Sequence, residues 1–158
     1  VVRHPTPPDR WNLWRYAQHL FHSYGELWLA RDEAATALAY GNECLELAEA
    51  SGSRKNIVKG RRLRGQALAA NGELEPAEVE LTTALTLAQT VGNPPQLWKS
   101  YAALGDLRRL QGLTDEAHGA YLAALAVIEG VAEDLGEGSR ETLLGSAHVQ
   151  VIRAAASD

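Results

Sequence analysis

His19, His22 and Glu26 stand three and four residues apart, so a helix through them carries two imidazoles and a carboxylate on one face. That donor set suits zinc or non-haem iron. A single helix rarely completes such a site, however, and no second carboxylate–histidine pair stands at the corresponding places further along the chain. The three residues read as polar lining of a surface, with neither a metal nor a cofactor expected. Cys44 is the single cysteine, which excludes a disulfide framework and any Cys-based zinc site. Arg54, Lys55, Lys59, Arg61, Arg62 and Arg64 gather six of the fifteen basic residues into eleven positions. Nucleic acid is the obvious ligand class for such a cluster, but no aromatics are interleaved to stack on bases, so that binding stands only as a minor alternative. The sequence has no phosphate loop ending in GK[ST], no G-x-G-x-x-G, no G-x-S-x-G and no H-E-x-x-H. No catalytic residue is expected, and the role is read as non-enzymatic.

These side chains sit in a chain of 158 residues, 46% hydrophobic and 22% charged. That is enough apolar residue to bury a core and too much for a disordered chain. The formal charge is −5. The longest uncharged stretch, Leu81 to Trp98, contains Thr82, Gln89, Asn93, Pro94 and Pro95 and cannot span a bilayer. No secretory signal opens the chain, so the expected compartment is the cytoplasm. There is no methionine, so Val1 is expected to follow an upstream part of a larger protein.

The positioning elements emerge when the chain is shifted by forty residues. Gly25, Gly65 and Gly105 then coincide, as do Ala37, Ala77 and Ala117, and Leu45, Leu85 and Leu125. Cys44 falls with Ala84 and Ala124, and is therefore read as a small packing residue. Within the second unit, Ala77, Leu81, Ala84, Leu85 and Ala88 follow helical spacing; Ala117, Tyr121, Ala124, Leu125 and Ile128 repeat it. Gly72 and Gly112 suit left-handed helix ends, Pro76 and Pro94 suit first turns, and Ser53, Thr114 and Ser139 suit N-caps. The predicted organisation is an extended linker over 1–8 and three helical hairpins over about 9–51, 52–91 and 92–135. A capping helix over 139–156 follows, with Leu144, Val151, Ile152 and Ala155 facing the last pair.

Tyr101, Leu104, Gly105, Gly112, Ala117, Tyr121 and Ala124 closely resemble the tetratricopeptide (TPR) repeat signature, and Gly65, Gly72, Ala77, Leu81 and Ala84 match it again. The first unit departs from it at Asp32, where the mid-repeat glycine belongs, and at Gly41, where a large residue is usual. Repeats of about forty residues exceed the usual period of about 34. They resemble the TPR arrays at the C-terminal end of large bacterial signalling proteins that carry ATPase, cyclase or DNA-binding modules. The resemblance implies an all-α, right-handed superhelix (an α-solenoid) of three TPR-like repeats plus a cap, with a concave groove lined by the first helix of each unit.

In that architecture the groove residues are His19, His22, Ser23 and Glu26, then Lys59, Arg62 and Gln66, then Lys99, Asp106 and Arg109. Four fixed positive charges face two negative ones on a chain that is acidic overall, which points to an acidic protein or peptide partner, elsewhere in the same protein or in another. The chaperone-tail clamp is not reproduced: its matching sites hold His22, Glu26, Leu63 and Ala103, with only Lys99 in keeping. Arg61 and Arg64 fall where Phe21 and Tyr24, and Tyr101 and Leu104, pack between helices. They therefore need acidic partners, for which Glu43, Glu46, Glu78 and Glu80 are candidates. Trp98 is read as core. Trp11 and Trp14 are read as covering the array's open end or as a contact surface, which leaves homodimerisation as an alternative function.

Overall fold

The computed structural model describes the backbone of residues 7–157 and the side chains of residues 16–157. Among them are eight α-helices and no strand: α1 (Pro7–Leu29), α2 (Ala34–Ala50), α3 (Arg54–Ala70), α4 (Leu74–Val91), α5 (Pro94–Leu110), α6 (Thr114–Glu133), α7 (Glu137–Gly145) and α8 (Ala147–Ala155). The helix begins at Pro7, inside the expected linker. A proline there gives up an N–H that a first turn leaves unbonded in any case. Residues 1–6 of that linker, and the side chains of Trp11 and Trp14, lie outside the described residues.

The connections explain why helices of this length follow one another so closely. After α1, α2, α3 and α5 the chain turns through a left-handed residue: Asp32, Gly52, Gly72 and Gly112, with φ of 60°, 65°, 82° and 76°. At each, the next N–H reaches back across the last turn, as in Glu73 N–H to Leu68 O at 2.9 Å and Leu113 N–H to Arg108 O at 2.9 Å. This is the Schellman arrangement. Asp32 makes the same pair of bonds without being glycine, through Asp32 N–H to Leu29 O and Glu33 N–H to Trp28 O. Aspartate is among the few residues that enter this conformation, at a cost of about 1 kcal/mol. The helix starts differ from the sequence expectation. Ser53 holds the N-cap position of α3 without a side-chain cap bond, Leu113 rather than Thr114 precedes α6, and Ser139 lies inside α7. Asn93 is a bonded cap, its side chain accepting from Gln96 N–H.

Ala37, Ala77 and Ala117, expected at helix contacts, are all buried. A Cβ on Gly65 would lie 2.6 Å from Leu81, and one on Gly105 would lie 2.7 Å from the Tyr121 ring. Glycine is what lets the two helices of those pairs close over a large side chain. Gly25 behaves differently: its missing Cβ makes room for Leu63 of α3, in the next pair. Gly41 occupies the place of Leu81 and Tyr121, so the first pair has no large side chain at that crossing.

One apolar cluster joins α3, α4 and α5 through Leu68, Ala77, Leu81, Ala103 and Leu107. A second joins α5, α6 and α8 through Trp98, Tyr121, Ala124, Ile128, Val149 and Ile152, so Trp98 is a core residue. The expected single capping helix is instead two. Ser146, with ψ of 141°, ends α7 and starts α8; its Oγ donates to Leu143 O at 2.8 Å. Leu144, Ile152 and Ala155 pack against the last pair as expected, but the break rotates the buried face so that Val149 and Ala156 also turn inward while Val151 is 68% exposed. Burying Val149 and Ile152 stabilises α8 by roughly 1.5–3 kcal/mol per side chain. A nine-residue helix needs that packing, since it is marginal alone.

Candidate functional site

The repeat brings α1, α3 and α5 side by side, and α8 closes one end of the surface they form. A cavity of about 140 Å³ results, bounded by Glu26 of α1, Arg62 and Gln66 of α3, Lys99 and Asp106 of α5, and His148 of α8. Five of the sequence-designated groove residues therefore meet at one place. Val151, Ile152 and Ala155 supply an apolar wall, and Tyr121 lines the cavity from α6. A second concavity of about 180 Å³ shares Gln66, Ala103 and Asp106 with the first and continues to Ala70 and Leu110.

Arg62 is the centre of this region. It is only 3% exposed. Its Nη1 donates to Gln96 Oε1 at 3.0 Å, and Gln96 is itself buried. Its Nη2 is buried with no hydrogen-bond partner among the described residues. Burial lowers the guanidinium to about 10, with the Glu26 carboxylate opposing the shift. At neutral pH Arg62 is therefore a buried cation holding one unused donor.

The other designated residues divide around it. His22 is buried, and its Nδ1 lies 3.4 Å from Glu26 Oε2. Burial first, and then the charges of Arg62, Lys59 and Lys99, push its imidazole down to about 3. His22 is thus neutral at pH 7, and its contact with Glu26 is not an ion pair there. His19 sits 3.3 Å from Lys59 Nζ. Lys59 is shifted downward by its own partial burial, then by Lys55 and Arg62. Ser23 is exposed. Arg109 is not among the residues that line the cavity: it is exposed, and its Nη2 lies 3.7 Å from Oδ1 of the lining residue Asp106. Asp106 also accepts from the Tyr121 hydroxyl at 2.7 Å, which, after burial, helps hold that phenol protonated. Among the described residues, no group of three His, Cys, Asp or Glu side chains is placed to hold a metal.

The basic cluster at 54–64 is dispersed around α3 rather than gathered into a patch. Arg54 donates to Thr90 at 2.7 Å, and Arg62 turns inward. Arg61 and Arg64 share Glu80, at 3.3 and 3.5 Å, and Arg61 also holds Glu49 at 3.0 Å. In the first unit the same three places hold Phe21, Tyr24 and Tyr40, which form an aromatic cluster with centroids 6.1 and 5.5 Å apart. An ion-pair network thus replaces an aromatic one at the same joint. Cys44 is fully buried, with its Sγ 3.4 Å from Gln18 O, and burial raises its thiol to about 11. That is a packing cysteine and a poor nucleophile.

Two features escaped the sequence reading. His148 and the wall of α8 belong to no repeat, so the forty-residue register gives no signal for them. Gln18 donates to Leu47 O of α2 at 3.3 Å and to Ser51 just beyond it at 2.8 Å, and accepts from Asn56 of α3 at 2.6 Å, a polar link between α1, α2 and α3. Only the capacity of Gln and Asn to satisfy one another marks these positions in advance.

No protein-family model and no curated protein matches the sequence. Among solved structures, the chain is similar to the TPR domain of Arabidopsis FLU, with a TM-score of 0.63 and 20% sequence identity. The match covers 74% of this chain and 98% of that one. Paired helices repeating every forty residues, left-handed turns at the matching places and this similarity together identify the fold as TPR-like, an all-α helical-repeat solenoid.

Proposed function

We propose that the chain is a protein–protein interaction module that docks an acidic segment of a partner against the face formed by α1, α3 and α5. The observation that carries this reading is Arg62, a buried cation with an unused donor, lining a concavity beside Lys99. A surface already folded loses little ordering entropy on binding. Charge-assisted bonds to Arg and Lys would fix the partner's orientation. The FLU similarity supports the scaffold on which this rests. No helix among the described residues is long and apolar enough to cross a membrane. A setting within a larger bacterial signalling protein of the cytoplasm, with the partner in the same chain or another, agrees with the long repeats.

Selection of displayed random peptides on the immobilised chain tests the reading. Enrichment of acidic sequences is expected. Their affinity should fall at least tenfold when Lys59, Arg62, Lys99 and Arg109 are all changed to alanine, and should fall with added salt. A variant altering only Lys59, Lys99 and Arg109 guards against loss of folding at buried Arg62. Selected peptides with no acidic bias, or binding indifferent to both variants, would reject it.

Self-association is the second reading and has its own observation. Tyr16, Leu20, Tyr24 and Leu27 are all exposed along one side of α1. Their counterparts forty residues on are Asn56, Gly60, Arg64 and Ala67. Gly60 and Arg64 lie against α2, where a Cβ on Gly60 would lie 2.9 Å from the Leu45 backbone. The face that stacks repeats together is therefore mostly exposed on α1, although Tyr24 also packs on Tyr40 of α2.

A further inference from the structure

We infer that the cavity closed by α8 takes one acidic side chain, Asp or Glu, from the docked segment, and that the adjoining concavity takes an apolar neighbour. This deepens the groove reading and rests on it. The guanidinium of Arg62 is only 3% exposed and anchored at one end by Gln96, so Nη2 is fixed in direction before any ligand arrives. A buried donor left unbonded costs about 1–3 kcal/mol; Nη2 is itself closed to solvent, so an acceptor entering the cavity recovers that cost by a small shift of the Arg62 head towards it. A carboxylate suits the position better than a neutral oxygen. Lys99 stands on the same wall, and Arg62 carries its charge where little water screens it. The volume of about 140 Å³ and the apolar wall from Val151, Ile152 and Ala155 suit a short stem ending in a charged head.

A peptide is favoured over a small free carboxylate because the cavity does not end there. Through Gln66, Ala103 and Asp106 it continues into the concavity flanked by Ala70 and Leu110, and Leu110 is 59% exposed. Glu26 and Asp106 also line the cavity, so it takes one carboxylate of the acidic segment and disfavours a second in the same place. His148 and Val151 make α8 part of the recognition surface as well as the cap.

Titration of the isotopically labelled full chain with capped dipeptides, followed by NMR, tests this. Acetyl-Glu-Leu-amide should shift the Arg62 side-chain and α8 signals saturably, and acetyl-Gln-Leu-amide should bind at least tenfold more weakly. Val151→Glu, an exposed change that leaves the core intact, should reduce binding of the glutamate peptide at least tenfold. Arg62→Lys should weaken it severalfold while preserving the helical circular dichroism. Equal binding of the Glu and Gln peptides overturns the proposal. Acetyl-Ala-Leu with a free terminal carboxylate, if it binds more tightly than the glutamate peptide, reassigns the cavity to a chain end and overturns it too. Should selected partners depend on the four basic residues while the Glu and Gln dipeptides bind alike, the docking face stands and this subsite falls. Failure of both results removes the two together.

Discussion

At His22 burial and three nearby cations hold the imidazole neutral down to about 3, against an ordinary value of 6.5. Between those two values the unfolded chain takes up a proton that the folded chain refuses, so stability falls as pH drops from 6.5 towards 3. Above 6.5 both states are neutral at this site and it contributes no slope. His22→Gln should therefore flatten the loss of stability across that window, as measured by urea unfolding at several pH values. An unchanged slope would place the proton uptake elsewhere. Sequence spacing reads His22 as a groove residue and gives no warning that it is buried and neutral. That outcome depends on Arg62, Lys59 and Lys99 arriving from two other helices.

Close helix pairing depends on residues that do nothing but leave space. Gly105 admits the Tyr121 ring, whose hydroxyl then reaches Asp106 on the same helix as the glycine. Gly105→Ala should cost about 1–3 kcal/mol in chemical unfolding, because the ring is a stiff neighbour that must shift to admit a methyl group. Gly119→Ala, at a place with open space around it, should instead be neutral or slightly stabilising. Equal effects at the two positions would contradict the crossing geometry. The register exposed these glycines through coincidence at one period. It did not reveal the break at Ser146, since Leu144, Val151, Ile152 and Ala155 would lie on one face of an uninterrupted helix. The Ser146 side chain bonds backward to Leu143 instead, and packing against α6 then selects Val149, Ile152 and Ala156.

For the whole molecule, stacking uses one kind of face repeatedly, and on α1 that face carries Tyr16, Leu20, Tyr24 and Leu27 in contact with solvent. If it pairs two copies, sedimentation should show a concentration-dependent dimer that Leu20→Ser with Leu27→Ser abolishes. A monomer at every concentration eliminates self-association and leaves docking at the inner face unaffected. The two surfaces lie on different parts of α1, with Glu26 turned to the cavity, so one protein can be assayed for both.

The forty-residue period, the hairpins of helices and the inner-face positions of Glu26, Arg62, Gln66, Lys99 and Asp106 are all legible in the sequence. Small residues at crossings and glycines at left-handed turns obey local steric rules, which repeat wherever the local structure repeats. Other features were decided only by the folded chain: Arg62 buried with a spare donor, Arg109 exposed outside the cavity lining, Glu80 chosen among several acids, and α8 completing the cavity. Each depends on distances between side chains remote in sequence. Burial and charge act through those distances, and helical periodicity does not encode them.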